Sequence, residues 1–256
     1  MKTKELCRII SQEMIGPEIY SMWVQTDRIA DQARPGQFVT LYSKDRSRML
    51  PRPISLCEIG DDKKSIRLVY RVAGEGTREF SRLRSGDDIE VMGPLGNGFP
   101  MEEAQGKRVL LMGGGIGIPP MVETAKQLSG DVAAAMGYRD ALFLTEELSR
   151  CASLYIATED GSVGTAGNVM DAVRENHIRC DVIFACGPKP MLKAIVDYAG
   201  EHKIPCWISM EERMACGIGA CLACTCQSKE VDGHSHVKNK RVCKDGPVFP
   251  ASEVEL

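Results

Sequence analysis

The sequence predicts a β plus α/β chain in three parts: an antiparallel sandwich or barrel over 1–102, a parallel α/β unit over 103–208, and a small cysteine-rich region over 209–256. Three observations predict this. Short alternating segments separated by turn residues fill the first part. Apolar runs then alternate with helical stretches. Finally, five of the eleven cysteines fall within 28 positions near the end. A chain of 256 residues accommodates about two ordinary domains. A hydrophobic fraction of 43% supports a sizeable core.

In the first part, 37–42 (QFVTLY) is strand-like and follows a Pro35-Gly36 turn. The run 65–71 (SIRLVYR) alternates polar and apolar residues, and 88–92 (DIEVM) follows Ser85-Gly86-Asp87. Strands this short, at this spacing, suggest an antiparallel sandwich or barrel. One helix, expected over 77–83, interrupts them. The texture changes at Gln105-Gly106-Lys107. There 108–112 (RVLLM) has the continuous apolarity of a parallel strand buried on both faces. Glycines follow, and a helix can start at Pro119-Pro120, because proline is tolerated in a first helical turn. Further strands are expected over 131–136, 153–158 and 181–185, and further helices over 167–176 and 189–200. Strands alternating with helices imply a parallel sheet. Beyond 209 cysteine, glycine and polar residues dominate without periodicity. A region of that size builds little core, so a bound metal would naturally hold it together.

Charge and cysteine usage exclude several classes. A net charge of −3, from 32 basic and 35 acidic residues, disfavours a general nucleic-acid binder. The longest apolar stretch, 109–122, holds four glycines and two prolines and is shorter than the ~20 residues of a spanning helix. The first fourteen residues, MKTKELCRIISQEM, lack the apolar core of a secretion signal. The expectation is therefore a cytoplasmic protein. An odd cysteine count without such a signal argues against a disulfide framework.

The sharpest motif is Cys216-x4-Cys221-x2-Cys224 with Cys243 after a further 18 residues. C-x4-C-x2-C with a distant fourth cysteine is the plant-type [2Fe–2S] spacing. Ala215, Gly217, Gly219, Ala220 and Ala223 are small enough for backbone N–H groups to approach the sulfurs. A structural zinc site is the alternative, although zinc usually takes two close cysteine pairs. Cys226 lies awkwardly near Cys224 for co-ligation. His234 and His236 raise the two-histidine Rieske pattern, but four cysteines already fit.

Two glycine-bearing turns follow. Gly113-Gly114-Gly115-Ile116-Gly117 sits between an apolar strand and a helix, where backbone can approach a pyrophosphate and the helix N-terminus favours its charge. The dinucleotide fingerprint is incomplete, because Ile118 occupies the third glycine position. Cys186-Gly187-Pro188 is a second strand-to-helix turn, with room for a planar ring. In the first part, Arg52 of Arg52-Pro53-Ile54-Ser55 can clamp a phosphate. Gly74-Glu75-Gly76-Thr77 opens the lone helix nearby.

In this order, these residues resemble the ferredoxin reductase-like flavoprotein family. There an antiparallel barrel binds flavin through R-x-x-S. A following α/β domain binds the nicotinamide nucleotide through a glycine-rich turn and a C-G-P segment. The resemblance implies FAD against Arg52, Pro53, Ile54, Ser55, Val69, Tyr70, Arg71, Gly76 and Thr77. It implies NAD(H), as substrate, against Gly113, Gly114, Gly115, Gly117, Cys186, Gly187 and Pro188, and a [2Fe–2S] cluster on Cys216, Cys221, Cys224 and Cys243. Ile54 departs from the tyrosine that many relatives carry. A closer resemblance within the family is carried by MACGIGAC at 214–221 and VCKDGPVF at 242–249. It covers essentially the whole chain. It implies an electron-transfer subunit between NAD(H) and an FMN-containing catalytic partner, two copies of each assembling, with no nucleic acid and no membrane. Substrate oxidation would lie on the partner, since no residue here stands out as its base. Alternatives at this stage are a sulfide- or ferredoxin-linked NAD(P)H reductase subunit, or a zinc-stabilised nucleotide-binding protein without a redox role. Arg139 could meet a 2′-phosphate and Asp140 beside it opposes that, so the lean is to NADH.

Overall fold

A computed structural model describes residues 2–45, 47–231 and 236–256. Six strands form a closed antiparallel barrel: β1 (Thr3–Gly16), β2 (Ile19–Gln25), β3 (Phe38–Tyr42), β4 (Arg52–Ile59), β5 (Ser65–Arg71) and β6 (Asp88–Leu95). They run around it in the order β1-β2-β5-β4-β3-β6. Period-two alternation explains the closure. Val39 and Leu41 of β3, with Leu56, Leu68 and Val91, point inward to fill the lumen. Intervening residues such as Phe38 and Thr40 face outward. Two short helices sit on the barrel, α1 (Ile29–Gln32) and α2 (Glu75–Phe80). The latter starts two residues before the expected position. The Thr77 hydroxyl accepts from the N–H groups of Ala73 and Gly74, at 2.9 and 3.2 Å, and so closes the first turn from within.

The second unit contains β7 (Val109–Gly114), α3 (Pro119–Gln127), β8 (Val132–Tyr138), α4 (Thr145–Ser149), β9 (Ser153–Thr158), β10 (Thr165–Ala166), α5 (Val169–Glu175), β11 (Val182–Cys186), α6 (Lys189–His202) and β12 (Cys206–Ser209). Every residue of β7 is buried. Leu110 and Met112 pack into the core on one face of the sheet, and Val109 and Leu111 into the core on the other. This two-sided burial is what the continuous apolar run encodes.

The last region, which carries no periodicity in sequence, holds three short strands among its described residues. Two strands pair with each other, β13 (Thr225–Gln227) and β14 (Asn239–Arg241). A third, β15 (Val248–Pro250), joins the preceding sheet antiparallel to β12. The large sheet is therefore mixed, in the order β10-β9-β8-β7-β11-β12-β15. Phe249 sits in its core beside Cys224 and Cys243. No helix among the described residues is long and apolar enough to cross a membrane.

Barrel and sheet are joined by polar contacts at one seam. Arg67 of β5 reaches Glu58 at 2.7 Å and Glu147 of α4 at 2.8 Å, and its Nε donates to Ser21. Glu123 of α3 accepts from the Ile59 N–H at 2.8 Å, and Lys126 pairs with Asp61 at 2.6 Å.

Candidate functional site

A cleft of about 330 Å³ opens where all three regions meet. One wall is the outer face of the barrel: Phe38, then Arg52, Pro53, Ile54 and Ser55 of β4, then Val69, Tyr70 and Arg71 of β5, with Ala73 and Thr77. Ile116 closes it from the glycine turn. Ser209, Met210, Glu211, Glu212, Met214 and Pro247 close it from the last region. The structure thus gathers every barrel residue expected at a flavin, except that Gly76 stands behind Arg52. A Cβ at Gly76 would come within 2.6 Å of Arg52 Nε. Glycine there lets the guanidinium lie over the start of α2. Tyr70 is fixed from behind, with its hydroxyl donating to Gln12 at 2.9 Å and its ring stacked on Tyr20. Burial holds that phenol above its ordinary range.

The two glycine-bearing turns of the sheet come together. A Cβ on Gly117 would stand 2.3 Å from the Cys186 carbonyl oxygen and 2.7 Å from the Gly187 nitrogen. A Cβ on Gly114 would meet the Met191 sulfur at 2.4 Å, and one on Gly113 the Met136 sulfur at 2.6 Å. Gly115 has φ +54° and faces open space. Because α3 begins with two prolines, its first turn lacks two N–H donors. An incoming phosphate must therefore rely on the glycine backbone more than on the helix end.

Cys186 is buried at the strand end opposite Ser209. Burial pushes its thiol well above the ordinary range, the Glu211 charge adds to this, and a hydrogen bond with Ser209 opposes it. Glu211 opens to the cleft yet is hemmed in by protein, and desolvation raises its carboxyl. Glu212 pairs with Lys189, the first residue of α6, at 2.5 Å. Ser209, Glu211 and Glu212 went unnoticed in the sequence. They lie at and just after the end of β12, ahead of the MACGIGAC segment, with no motif to mark them.

The four cysteines lie beside this cleft in two pairs. Cys221 stands close enough to act on Cys216, and Cys224 close enough to act on Cys243. Among the described residues, no three His, Cys, Asp or Glu side chains gather as they would around one ion. The backbone is wrapped toward the sulfurs. Ile218 and Ala220 N–H groups donate to Cys216 Sγ at 3.4 and 3.3 Å, Gly219 N–H to Cys243 Sγ at 3.1 Å, and Cys243 N–H to Cys224 Sγ at 3.4 Å. Positive φ at Gly217, Gly219 and Leu222 makes this curl. Burial disfavours the Cys216 thiolate, but the Ile218, Cys221 and Ala220 amides and the Cys221 thiol outweigh it and bring the group down to about 6. Cys243 is pushed up to about 12 by burial and by its contact with Cys224. Cys224 and Cys243 are buried and Cys221 is exposed. Cys226 is buried on β13, paired opposite Lys240. His236 is exposed, and His234 lies outside the described residues.

Comparison with known proteins fits this geometry. Residues 211–255 match the family model of the iron-sulfur cluster binding domain of dihydroorotate dehydrogenase B. The whole chain is 42% identical over 263 residues to the electron transfer subunit of dihydroorotate dehydrogenase B (NAD(+)) from Geobacillus sp. (strain WCH70), covering 100% of both. It is 42% identical over 260 residues to the same subunit from Bacillus caldolyticus, covering 99% of each. Among solved structures, an NADH-dependent reduced ferredoxin-NADP oxidoreductase superposes with a TM-score of 0.85 at 29% identity, covering 98% of this chain and 90% of that one. A ferredoxin NADP+ reductase from Neisseria gonorrhoeae, with bound FAD and NADP, shares the fold at a TM-score of 0.64 and 15% identity, over 78% of this chain and 91% of that one.

Proposed function

The chain belongs to the electron transfer subunits of dihydroorotate dehydrogenase B (NAD+), and on that premise we propose how its residues divide the work. It is an oxidoreductase subunit that carries electrons through flavin and iron–sulfur groups. FAD is assigned to the cleft, NAD(H) to the paired glycine-bearing turns, and a [2Fe–2S] cluster to Cys216, Cys221, Cys224 and Cys243. When bound, a flavin exchanges a hydride with nicotinamide and single electrons with an iron–sulfur cluster.

The observation that carries this reading is the shared lining of the cleft. Ile116 brings the nucleotide turn to it, and Glu211 to Met214 bring the segment leading into the cysteines. Arg52 supplies fixed positive charge for a phosphate, and Ile54 and Val69 supply an apolar face. Ser209, Cys186 and Glu211 mark where the nicotinamide-facing edge would lie. The two cysteine pairs fit a two-iron centre, in which each iron takes two thiolates. One tetrahedral zinc needs all four sulfurs at a single point.

The partner in this reading is the FMN-containing dihydroorotate dehydrogenase catalytic subunit, which oxidises dihydroorotate to orotate in pyrimidine (UMP) synthesis. The expected assembly is a cytoplasmic heterotetramer of two of each subunit. An anaerobic absorption spectrum, with iron, zinc and flavin assays on the same sample, tests the cofactors. Flavin bands over a broad iron–sulfur absorption, with about two irons per flavin, are expected. A colourless, zinc-loaded chain would overturn the assignment.

A further inference from the structure

We propose that the Thr40 hydroxyl is a hydrogen-bond donor to a sulfur of the iron–sulfur centre and holds its reduction potential up. The inference rests on the cluster assignment just made. Among the described residues, Thr40 Oγ1 is the one buried side-chain polar atom without a hydrogen-bond partner. Thr40 itself is 1% exposed. A buried hydroxyl with nothing to bond is destabilising, and native structures rarely keep one without a reason.

Its position supplies that reason. Val39 and Leu41 point into the barrel lumen, so alternation turns Phe38 and Thr40 out of it. Phe38 lines the flavin cleft and packs in the same core as Cys224 and Cys243. Thr40 faces the cysteine loop. Its methyl Cγ2 lies 3.0 Å from where a Cβ of Gly217 would stand, and Gly217 directly follows Cys216. The positive φ of Gly217 (+68°) and its lack of a side chain press the loop onto this face of β3. The sulfurs of a bound iron–sulfur centre are acceptors without hydrogens of their own. A hydroxyl donor beside them favours the more negative, reduced form and so raises the potential. Cys216 already receives two backbone amides. Thr40 adds a donor from the barrel, where the flavin lies on the neighbouring residues of the same strand pair.

The test uses the full chain with its cofactors, as wild type, Thr40→Val and Thr40→Ser, in anaerobic redox titrations followed by EPR and absorption. Thr40→Val keeps the shape and removes the donor. It is expected to raise the oxidised-to-reduced ratio of the cluster about tenfold at a fixed poise, which is 59 mV for a one-electron couple. The flavin midpoint should stay in place. Thr40→Ser keeps the donor and should stay near wild type. An exchangeable-proton coupling in pulsed EPR, present in wild type and in Thr40→Ser, should vanish in Thr40→Val. A two-iron signal whose potential Thr40→Val leaves unchanged overturns this inference alone. So do equal shifts in both variants, because Thr40→Ser keeps the hydroxyl. An iron-loaded wild type without a two-iron signal overturns the cluster assignment, and this inference with it.

Discussion

The cleft proposed for flavin and the cysteine loop lie side by side and are built in opposite ways. Most of the cleft's barrel wall stands on strands in fixed register, with Arg52, Pro53, Ile54 and Ser55 paired against Leu41, Thr40, Val39 and Phe38. The loop between β12 and β13 contains no helix or strand and curls through left-handed residues so that amides point at sulfur. It borrows rigidity from its surroundings. Asn97 of the barrel side donates its backbone N–H to the Gly246 carbonyl at 2.6 Å and its side-chain amide to the Asp245 carbonyl at 2.9 Å. Arg241 clamps Asp245 through its backbone N–H and its Nε, at 2.8 and 3.0 Å. A broad planar ligand needs an extended surface, which strands provide. A four-thiolate centre needs convergence from separate positions, which only a curled loop provides.

The sharpest way to break this comparison is to remove one ligand. Cys221→Ser is expected to lose most of the iron and to reduce electron delivery to the partner more than the 10–100-fold typical of changes around a metal site. NADH–flavin hydride exchange should persist, because the cleft keeps its own frame. Iron analysis with stopped-flow flavin reduction checks both, and normal coupled turnover would contradict the electron path. Cys226→Ala is the control and should keep its iron, since Cys226 falls outside the C-x4-C-x2-C spacing. Conversely, Arg52→Ala removes the cleft's charged clamp. Loss of a charge-assisted hydrogen bond is worth about 2 kcal/mol, or roughly thirtyfold in flavin Kd. Flavin titration of the apoprotein reads it, and iron content should not change.

What was legible in the sequence follows the same division. The cysteine quartet, Arg52 to Ser55, Gly113 to Gly117 and Cys186 to Pro188 are local motifs, and chemistry dictates their spacing. The structure brings the last two into backbone contact, at Gly117 and Cys186, which spacing alone does not reveal. The rest depends on pairings between distant positions. β15 reaches the sheet by pairing with β12, and neither partner carries a periodic signal. Phe38, Ser209 and Glu211 line the cleft only because the start of β3 and the end of β12 come to the same place. A single threonine within the run QFVTLY reads as a strand former, and its place against the cysteine loop appears only once the loop is folded onto it.

The smallest effect expected concerns the seam between barrel and sheet, which sets the two proposed nucleotide sites relative to each other. Helix α3 leads away from the glycine turn, and β4 begins at the segment proposed for flavin. Glu123 of α3 ties them by accepting from the Ile59 N–H at 2.8 Å and from Gln127 at 2.6 Å, and it is 2% exposed. Burial raises its carboxyl, and the hydrogen bonds from Ile59 and Gln127 and the Lys126 charge offset only part of that. The sign follows directly. A carboxyl whose pKa is higher folded than unfolded stabilises most below the ordinary carboxylate range, and that contribution is lost as pH rises through its folded value. At neutral pH the buried charge therefore costs stability. Glu123→Gln stays uncharged and can still accept from Ile59 through its amide oxygen. Its Tm relative to wild type should rise between about pH 4 and pH 8, by roughly 2–4 °C for each kcal/mol recovered in a chain of this size. Iron content should stay constant throughout. A difference that does not vary with pH would show that Lys126, held against Ile59 and Asp61, compensates the charge in full, and the seam would then be a neutral strut rather than a strained one. Iron loss in the same variant would show that the loop depends on the angle between barrel and sheet, and the two regions could no longer be treated as separately built.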